Sequence, residues 1–267
     1  MISELFNKLS AQNRAALVAF VSCGDPSLDF TKKLVKTVCR AGADIVELGV
    51  PFSDPMADGA VIQASSQRAL AAGTTILSAI EMAGDLRKDG IDKPFVLFSY
   101  FNPIFKLGVG KIAAKCKENG IDALLVVDVP LEESGQITSA TKEFGLDFIP
   151  LAAPTSPLDR VENISKSGSG FLYYVTVAGV TGVRDSLPEH FARHLADVRR
   201  VSKLPVAAGF GISNPQMARL AAESADAVVV GSRLVSLAHE TLLKEGEPAA
   251  LEAVSAFVKS LSESMGR

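Results

Sequence analysis

In the stretch DIVELGVPFSDPMADG, which begins at Asp44, three further carboxylates follow at Glu47, Asp54 and Asp58. Glu47 stands in an apolar run, where an ionised carboxylate loses its hydration at a high free-energy cost. Asp58 lies eleven residues further on, so the loop between them could fold back and bring both carboxylates over one substrate. Two carboxylates in different surroundings can divide the roles of general acid and general base. The structural alternative is that Asp58-Gly59 starts a helix and Asp54-Pro55 forms a turn.

The rest of the chain indicates which elements would position these residues. Eight short apolar runs predict strands: LVAFVSC, DIVELGV, FVLFSY, ALLVVDV, DFIPLA, FLYYVTV, PVAAGF and DAVVVG. Each run is apolar at both its odd and its even positions, as expected for parallel strands covered on both faces. Amphipathic helical periods lie between the strands. This alternation predicts an α/β fold, a (β/α)8 TIM barrel that spans residues 1–267 as a single domain. A doubly wound open sheet is the alternative.

Two segments lie outside the eightfold repeat. SELFNKLSAQNRAAL predicts an extra N-terminal helix across the bottom of the barrel, and TTILSAIEMAGDLRKDG gives the second βα unit an extra helix. In such a barrel the functional face is the C-terminal end of the strands. Strand alternation places Glu47 on the side opposite Val46 and Leu48. If those two residues pack on the helices, Glu47 points into the barrel mouth.

Glycines end the last three predicted strands. They lie in GVTG at 179–182, GFGIS at 209–213 and GS at 231–232. Bare backbone amides at such positions can approach an anion closely, although a single glycine of this kind is common in tight turns. Because three occur at consecutive strand ends, they predict a phosphate site built from these loops.

Composition excludes several classes of function. A net charge of -3 and a pI near 5.7 argue against nucleic acid or an anionic membrane surface as the main partner. No apolar run reaches membrane-spanning length, and the N-terminal residues do not resemble a secretory signal. Cys23, Cys39 and Cys116 contain no CxxC pair, which is typical of a reduced, cytoplasmic protein.

Several catalytic strategies lack their usual residues in this chain. No lysine falls in a predicted strand, so a Schiff-base aldolase would lack its nucleophile. The three histidines lie on predicted helices, which leaves a zinc aldolase without an obvious ligand cluster, and we predict no metal site. No GxGxxG follows the first strand. The remaining chemistry is cofactor-free acid/base catalysis on a phosphorylated substrate.

The segment ELGVPFSDPMADGAVIQ closely resembles the signature segment of the tryptophan synthase alpha chain family. Further family-like segments follow in the expected order: FVSCGDP, SYFNPI, VVDVPLEES, LAAPTSP, VAGVTG, AAGFGIS and VVGS. The resemblance implies a (β/α)8 lyase of tryptophan biosynthesis that cleaves indole-3-glycerol phosphate to indole and glyceraldehyde 3-phosphate by a retro-aldol step. It implies no cofactor on this chain.

The resemblance also assigns residues. Glu47 matches the general acid and base that protonates indole C3 and takes the glycerol hydroxyl proton, and Asp58 matches the group that binds the indole N–H. The substrate pocket maps onto Phe20, Tyr100, Leu125, Tyr173, Thr181 and Phe210, and the phosphate site onto Gly182, Gly211, Gly231 and Ser232. On the residues alone, the favoured interpretation of Tyr173 is a strand aromatic in the core.

The family assembles with a beta chain as an alpha2-beta2 heterotetramer, and the pyridoxal phosphate site of the beta chain receives the indole. Asp54 and the segment SYFNPIFKLG match positions that face this partner, so we expect Asp54 to couple the two chains. A sibling barrel, indole-3-glycerol phosphate synthase, is disfavoured because its chemistry uses a strand-end lysine. Two alternatives stay open: a partner-activating binding module with little activity, and a free-standing indole-releasing lyase.

Overall fold

The computed structural model describes residues 2–175, 189–209 and 211–266, with the backbone alone at 189–192. Nine parallel strands occur in these ranges and form one sheet of order β5-β4-β3-β2-β1-β9-β8-β7-β6. They are β1 (Ala16–Ser22), β2 (Ile45–Gly49), β3 (Phe95–Ser99), β4 (Ala123–Val126), β5 (Asp147–Phe148), β6 (Leu151–Ala152), β7 (Leu172–Val175), β8 (Val206–Gly209) and β9 (Ala227–Val230).

The predicted strand DFIPLA is interrupted in the structure. Its first half, β5, pairs with β4, and its second half, β6, pairs with β7. At the break, the Ile149 amide donates to the Leu124 carbonyl at 2.9 Å, and the Tyr173 amide donates to the Pro150 carbonyl at 2.9 Å. Pro150 has no N–H, so the ladder cannot run through it. The two halves together act as the fifth strand and close the sheet into a barrel.

Helices connect the strands, as the amphipathic periods predict. In the described residues they are α1 (Ile2–Ala11), α2 (Leu28–Arg40), α3 (Ala60–Ala71), α4 (Ile76–Lys88), α5 (Phe101–Leu107), α6 (Val109–Glu118), α7 (Gly135–Glu143), α8 (Leu158–Ser167), α9 (Glu189–Val201), α10 (Pro215–Ser224), α11 (Ser232–Glu245) and α12 (Glu247–Ser264). The extra helices predicted at the N-terminus and in the second unit are confirmed as α1 and α4. Helices α5 and α12 were not predicted. No helix in the described ranges is long and apolar enough to cross a membrane.

The core has two layers that fix the orientation of β2. Val46 and Leu48 belong to the cluster between the sheet and the helices, whereas Ile45 belongs to the cluster inside the barrel. Phe6 of α1 packs on Phe171, with ring centroids 5.8 Å apart, so α1 closes one end of that inner cluster. This arrangement confirms that Glu47 lies on the inner side of β2.

Paired charges hold the N-terminal ends of the strands. Three aspartates, each just before a strand, accept a hydrogen bond from a backbone amide of the neighbouring strand and from an arginine: Asp44 with Leu17 and Arg14, Asp122 with Phe95 and Arg87, Asp226 with Val206 and Arg199. Each carboxylate satisfies a backbone N–H that the sheet would otherwise leave unpaired. The carboxylates at this end are therefore structural, in contrast to those at the opposite end of the strands.

Candidate active site

Glu47 is a fully buried carboxylic acid with no hydrogen-bond partner in the described part of the chain. Its residue is 0 % exposed, and neither side-chain oxygen has a donor or acceptor. It pairs across the sheet with Phe20 on β1 and Val96 on β3. Burial raises the pKa of Glu47 to about 8, because the charged form has lost its hydration. At neutral pH this side chain holds a proton that it can give away.

Asp58 closes the loop between β2 and α3. Helix α3 does begin next to it, with Gly59 as the N-cap residue, but no side chain caps this end. The Asp58 carboxylate instead accepts a hydrogen bond from the Tyr100 hydroxyl at 3.1 Å. Burial raises the pKa of Asp58 to about 6, and the Tyr100 hydrogen bond opposes that rise. Asp58 therefore turns towards the barrel mouth rather than towards the helix.

Asp54 has the turn geometry that the alternative interpretation predicts. The Met56 amide donates to its carbonyl at 2.8 Å, and the Ser53 hydroxyl donates to its carboxylate at 2.5 Å. Its side chain is exposed. Asp54 thus lies on the outer surface of the loop that carries Asp58.

Aromatic rings form one wall of the mouth. Phe20 contacts Phe98 edge to face at 5.2 Å between ring centroids, and Phe98 contacts Tyr173 in the same way at 6.4 Å. The Phe20 ring lies over Gly49, where a Cβ atom would come within 2.3 Å of its Cζ. Gly49 therefore makes room for the ring, and the wall suits a flat apolar ligand.

Tyr173 is a buried residue of β7 on the inner side of the sheet. Its side chain lies in the inner cluster, together with Leu125 of β4. Burial raises the pKa of Tyr173 well above its usual value, and the negative charges of Glu47 and Asp58 raise it further. Both carboxylates are therefore near enough for their charges to act on the Tyr173 hydroxyl. Tyr173 is thus a core aromatic that also contacts Phe98 of the aromatic wall.

A small cavity lies between Asp58 and the aromatic wall, and neither Glu47 nor Tyr173 is among its described lining residues. Its lining includes Phe20, Ser22, Gly49, Asp58, Ile62, Ser66, Phe98 and Tyr100. The hydroxyl of Ser22 is buried there and has no hydrogen-bond partner among the described residues. Sequence reasoning missed Ser22, although its position two residues after Phe20 on the same strand face would have placed it at the mouth.

Three of the four predicted phosphate-binding positions follow the ends of β8 and β9, as expected. Gly211 follows β8 with φ +62°, a conformation that favours glycine. Gly231 is the N-cap residue of α11, Ser232 is its first helical residue, and no side chain caps that end. The free amides of a helix N-terminus attract anions. Thr181, Gly182 and Phe210 lie outside the described residues.

Asp25 is a second residue that sequence reasoning missed. It is buried just after β1 and accepts hydrogen bonds from the Arg68 guanidinium at 2.7 and 2.6 Å and from the Ser65 hydroxyl at 2.6 Å. Both partners belong to α3, so Asp25 fixes this helix against β1 and with it the position of Asp58. The signal was an aspartate directly after a strand, in the segment FVSCGDP.

The histidines lie away from the mouth where the structure describes their side chains. His194 of α9 packs against Tyr174, with ring centroids 5.9 Å apart, and His239 is on α11. Within the described ranges no group of three His, Cys, Asp or Glu side chains could hold a metal ion.

The chain is similar to known proteins along nearly its whole length. The family model described as "Tryptophan synthase alpha chain" matches residues 6–265. The tryptophan synthase alpha chain of Geobacter sp. (strain M21) is 47% identical over 262 residues, covering 98% of this chain and 96% of the relative. That of Geobacillus thermodenitrificans (strain NG80-2) is 43% identical over 254 residues, covering 94% of each.

The fold of this chain is similar to that of a solved structure. The tryptophan synthase alpha chain from Legionella pneumophila subsp. pneumophila superposes with a TM-score of 0.90 at 34% identity, covering 99% of this chain and 96% of that one. This likeness confirms the TIM barrel. The chain belongs to the tryptophan synthase alpha chain family, the lyases of tryptophan biosynthesis that cleave indole-3-glycerol phosphate to indole and glyceraldehyde 3-phosphate.

Proposed function

We propose that Glu47 carries the proton in this cleavage. The observation that supports the assignment most directly is its burial without a hydrogen-bond partner among the described residues, since burial keeps the carboxylic acid protonated near neutral pH. Its proton goes to indole C3, and the ring nitrogen takes up the positive charge. The bond between C3 and the glycerol chain then breaks, and its electrons return to the ring. The adjacent glycerol hydroxyl gives its proton to the Glu47 carboxylate and becomes the aldehyde.

Asp58 would stabilise the positive charge that this step creates. An ionised carboxylate next to the indole N–H accepts its hydrogen bond and interacts favourably with the charged ring. The raised pKa of Asp58, about 6, still leaves it mostly ionised at neutral pH. Phe20, Leu125 and Tyr173 are proposed to enclose the indole, together with Tyr100, Thr181 and Phe210.

The phosphate of the substrate is proposed to lie at the ends of β8 and β9. Gly211, Gly231 and Ser232 would bind it through backbone amides and a hydroxyl, supported by the free N-terminus of α11. Gly182 is proposed to complete the site. Anchoring the phosphate here would hold the indole end of the substrate towards Glu47.

No cofactor is needed for the proposed steps on this chain, since protonated indole itself accepts the electrons of the broken bond. We place the pyridoxal phosphate on a partner beta chain, in an alpha2-beta2 heterotetramer, and the protein in the cytoplasm. Two exposed apolar side chains near the barrel mouth support a docking surface there: Met56 is 86% exposed in the Asp58 loop, and Phe105 is 61% exposed on α5. We propose that both side chains belong to one exposed apolar surface, the kind of surface that is typical of interaction sites.

Asp54 is proposed to couple this surface to catalysis. It lies on the outer side of the loop whose inner side carries Asp58, so a partner that contacts Asp54 can change the position of Asp58. We expect Asp54→Ala to leave the KM for indole-3-glycerol phosphate within about twofold, since the side chain is exposed and outside the cavity. Activation of indole release by the beta chain should fall at least severalfold.

The matched control for that variant is Asp92→Ala. Asp92 is also exposed, but it precedes β3 at the opposite end of the barrel. Both variants are titrated with the beta chain in an indole-release assay. Full activation of Asp54→Ala would remove Asp54 from the coupling role.

One assay separates the lyase subunit from its two alternatives. Purified chain is given indole-3-glycerol phosphate, and the release of indole is followed with and without a beta chain. We expect slow release alone and faster release with the partner. Release that the beta chain does not change would favour a free-standing lyase. No release in either condition, together with activation of the partner's own reaction, would favour a binding module.

A further inference from the structure

Tyr100 makes contacts that do not fit a residue whose hydroxyl binds substrate. The Ala57 amide donates to this hydroxyl at 2.9 Å, and the hydroxyl donates to Asp58 Oδ2 at 3.1 Å. Its ring stacks on Phe52 at 5.0 Å between centroids, and the residue is 3% exposed. The hydroxyl is therefore occupied on both sides by the protein.

The three partners of the Tyr100 side chain named above all belong to one loop, the catalytic loop, which we define as residues 50–59. The other hydrogen bonds of residues 52–58 in the described structure stay inside this loop or go to Gln63 at the start of α3. Tyr100 lies between β3 and α5, in the next βα unit. Among the described residues, Tyr100 thus supplies the hydrogen bonds that join residues 52–58 to the neighbouring βα unit.

Tyr100 is itself firmly held. Its carbonyl accepts a hydrogen bond from the Ser99 hydroxyl at 2.9 Å. The next amide, that of Phe101, donates to the Asp128 carboxylate at 2.8 Å. A group that orients another must be rigid in its own right, and these contacts from β3 and from the end of β4 supply that rigidity.

We propose that Tyr100 is a positioning residue that acts through Asp58, by fixing one carboxylate oxygen and tying the catalytic loop to the third βα unit. This proposal rests on the proposed role of Asp58. Since Oδ2 accepts the Tyr100 proton, Oδ1 is left to accept the indole N–H. The direction of the hydrogen bond is fixed because the buried phenol keeps its proton: burial and then the Asp58 charge raise the pKa of Tyr100.

Tyr100→Phe tests this role because it keeps the ring stack and deletes both hydrogen bonds. Because a hydrogen bond to a charged group is lost, we expect kcat/KM to fall roughly 10- to 100-fold. The acidic limb of the pH profile should also move to higher pH, because the hydrogen bond that lowers the Asp58 pKa is gone. Asp128 also acts on Tyr100, and the charges of Asp58 and Glu47 act on Tyr173; these neighbouring groups are all unchanged in the variant.

Tyr174→Phe is the matched control. Tyr174 is also buried, and its hydroxyl has no partner in the described part of the chain; it packs against His194 on the outer side of the barrel. We expect removal of the Tyr174 hydroxyl to change neither kcat/KM nor the position of the acidic limb. In an Asp58→Asn background, Tyr100→Phe should cost no more than roughly a further twofold, since the two residues act as one unit.

Three results would overturn the proposal: an acidic limb that stays in place, a full additional loss of activity in the Asp58→Asn background, or a loss that is equal at all pH values and accompanies a lower urea midpoint. The last would mark a merely structural role. The proposed function is judged separately, from wild-type indole release and Glu47→Gln, so its failure leaves a different pattern from the failure of the Tyr100 proposal.

Discussion

Glu47→Gln lowers the rate of indole release from indole-3-glycerol phosphate by about 10²- to 10⁴-fold, the range expected when a positioned general acid/base is removed. Glutamine nearly preserves the size and shape of the side chain but has no proton to give to indole C3 and no carboxylate to take one back. The phosphate and indole contacts are unchanged, so KM should move little. The measurement is steady-state indole release at saturating substrate.

Stability against pH gives an independent control for the same variant. Burial raises the folded-state pKa of Glu47 to about 8 from an ordinary value of 4.5, so the folded chain holds this proton more tightly than the unfolded chain. The contribution to stability is therefore full below pH 4.5 and is lost as pH rises towards 8. Glu47→Gln should remove that decline from urea-unfolding curves. Equal activity in variant and wild type would remove Glu47 from the proton-carrying role.

Asp58→Asn lowers kcat/KM by roughly 10²-fold, because an amide can accept the indole N–H but cannot offset the positive charge of the protonated ring. The acidic limb of the pH profile should disappear with it, since the group that titrates near pH 6 is gone. Protonating Asp58 in the wild type has the same effect as the substitution, so the two proteins should converge in activity at low pH.

The result that contradicts this role is a variant that keeps its acidic limb near pH 6 while losing activity uniformly. In that case another group would titrate there, and Asp58 would serve only to shape the loop. Asp54→Ala, four residues earlier in the same loop, is the matched comparison, because its side chain faces solvent and should leave the limb in place.

The direction of Glu47 could be predicted from the sequence because strand alternation is a local rule. A period of two decides which side chains share a face, and Val46 and Leu48 pack on the helices as that rule requires. The order of the strands and helices was predictable because apolar runs and helical periods are also local patterns. The break in DFIPLA was not, since the consequence of Pro150 depends on how two different neighbours, β4 and β7, divide the ladder between them.

The role of Tyr100 could not be read from spacing. Its contacts to Ala57 and Asp58 join residues more than forty positions apart, and only the closed barrel brings those two units side by side. The Asp25 contact with Arg68 is missed for the same reason. Residues that contact substrate can be recognised from their chemical type. Residues that position them can be recognised only from their contacts in the folded structure.

The most direct test of the account is the pH dependence of indole release by the purified chain acting on indole-3-glycerol phosphate. Glu47 must be protonated and Asp58 ionised when cleavage begins. We therefore predict a bell-shaped profile of kcat/KM, with an acidic limb near pH 6 and an alkaline limb near pH 8. An activity that stays constant through pH 9, or no release at any pH even with the beta chain, would contradict the assignment of the two carboxylates.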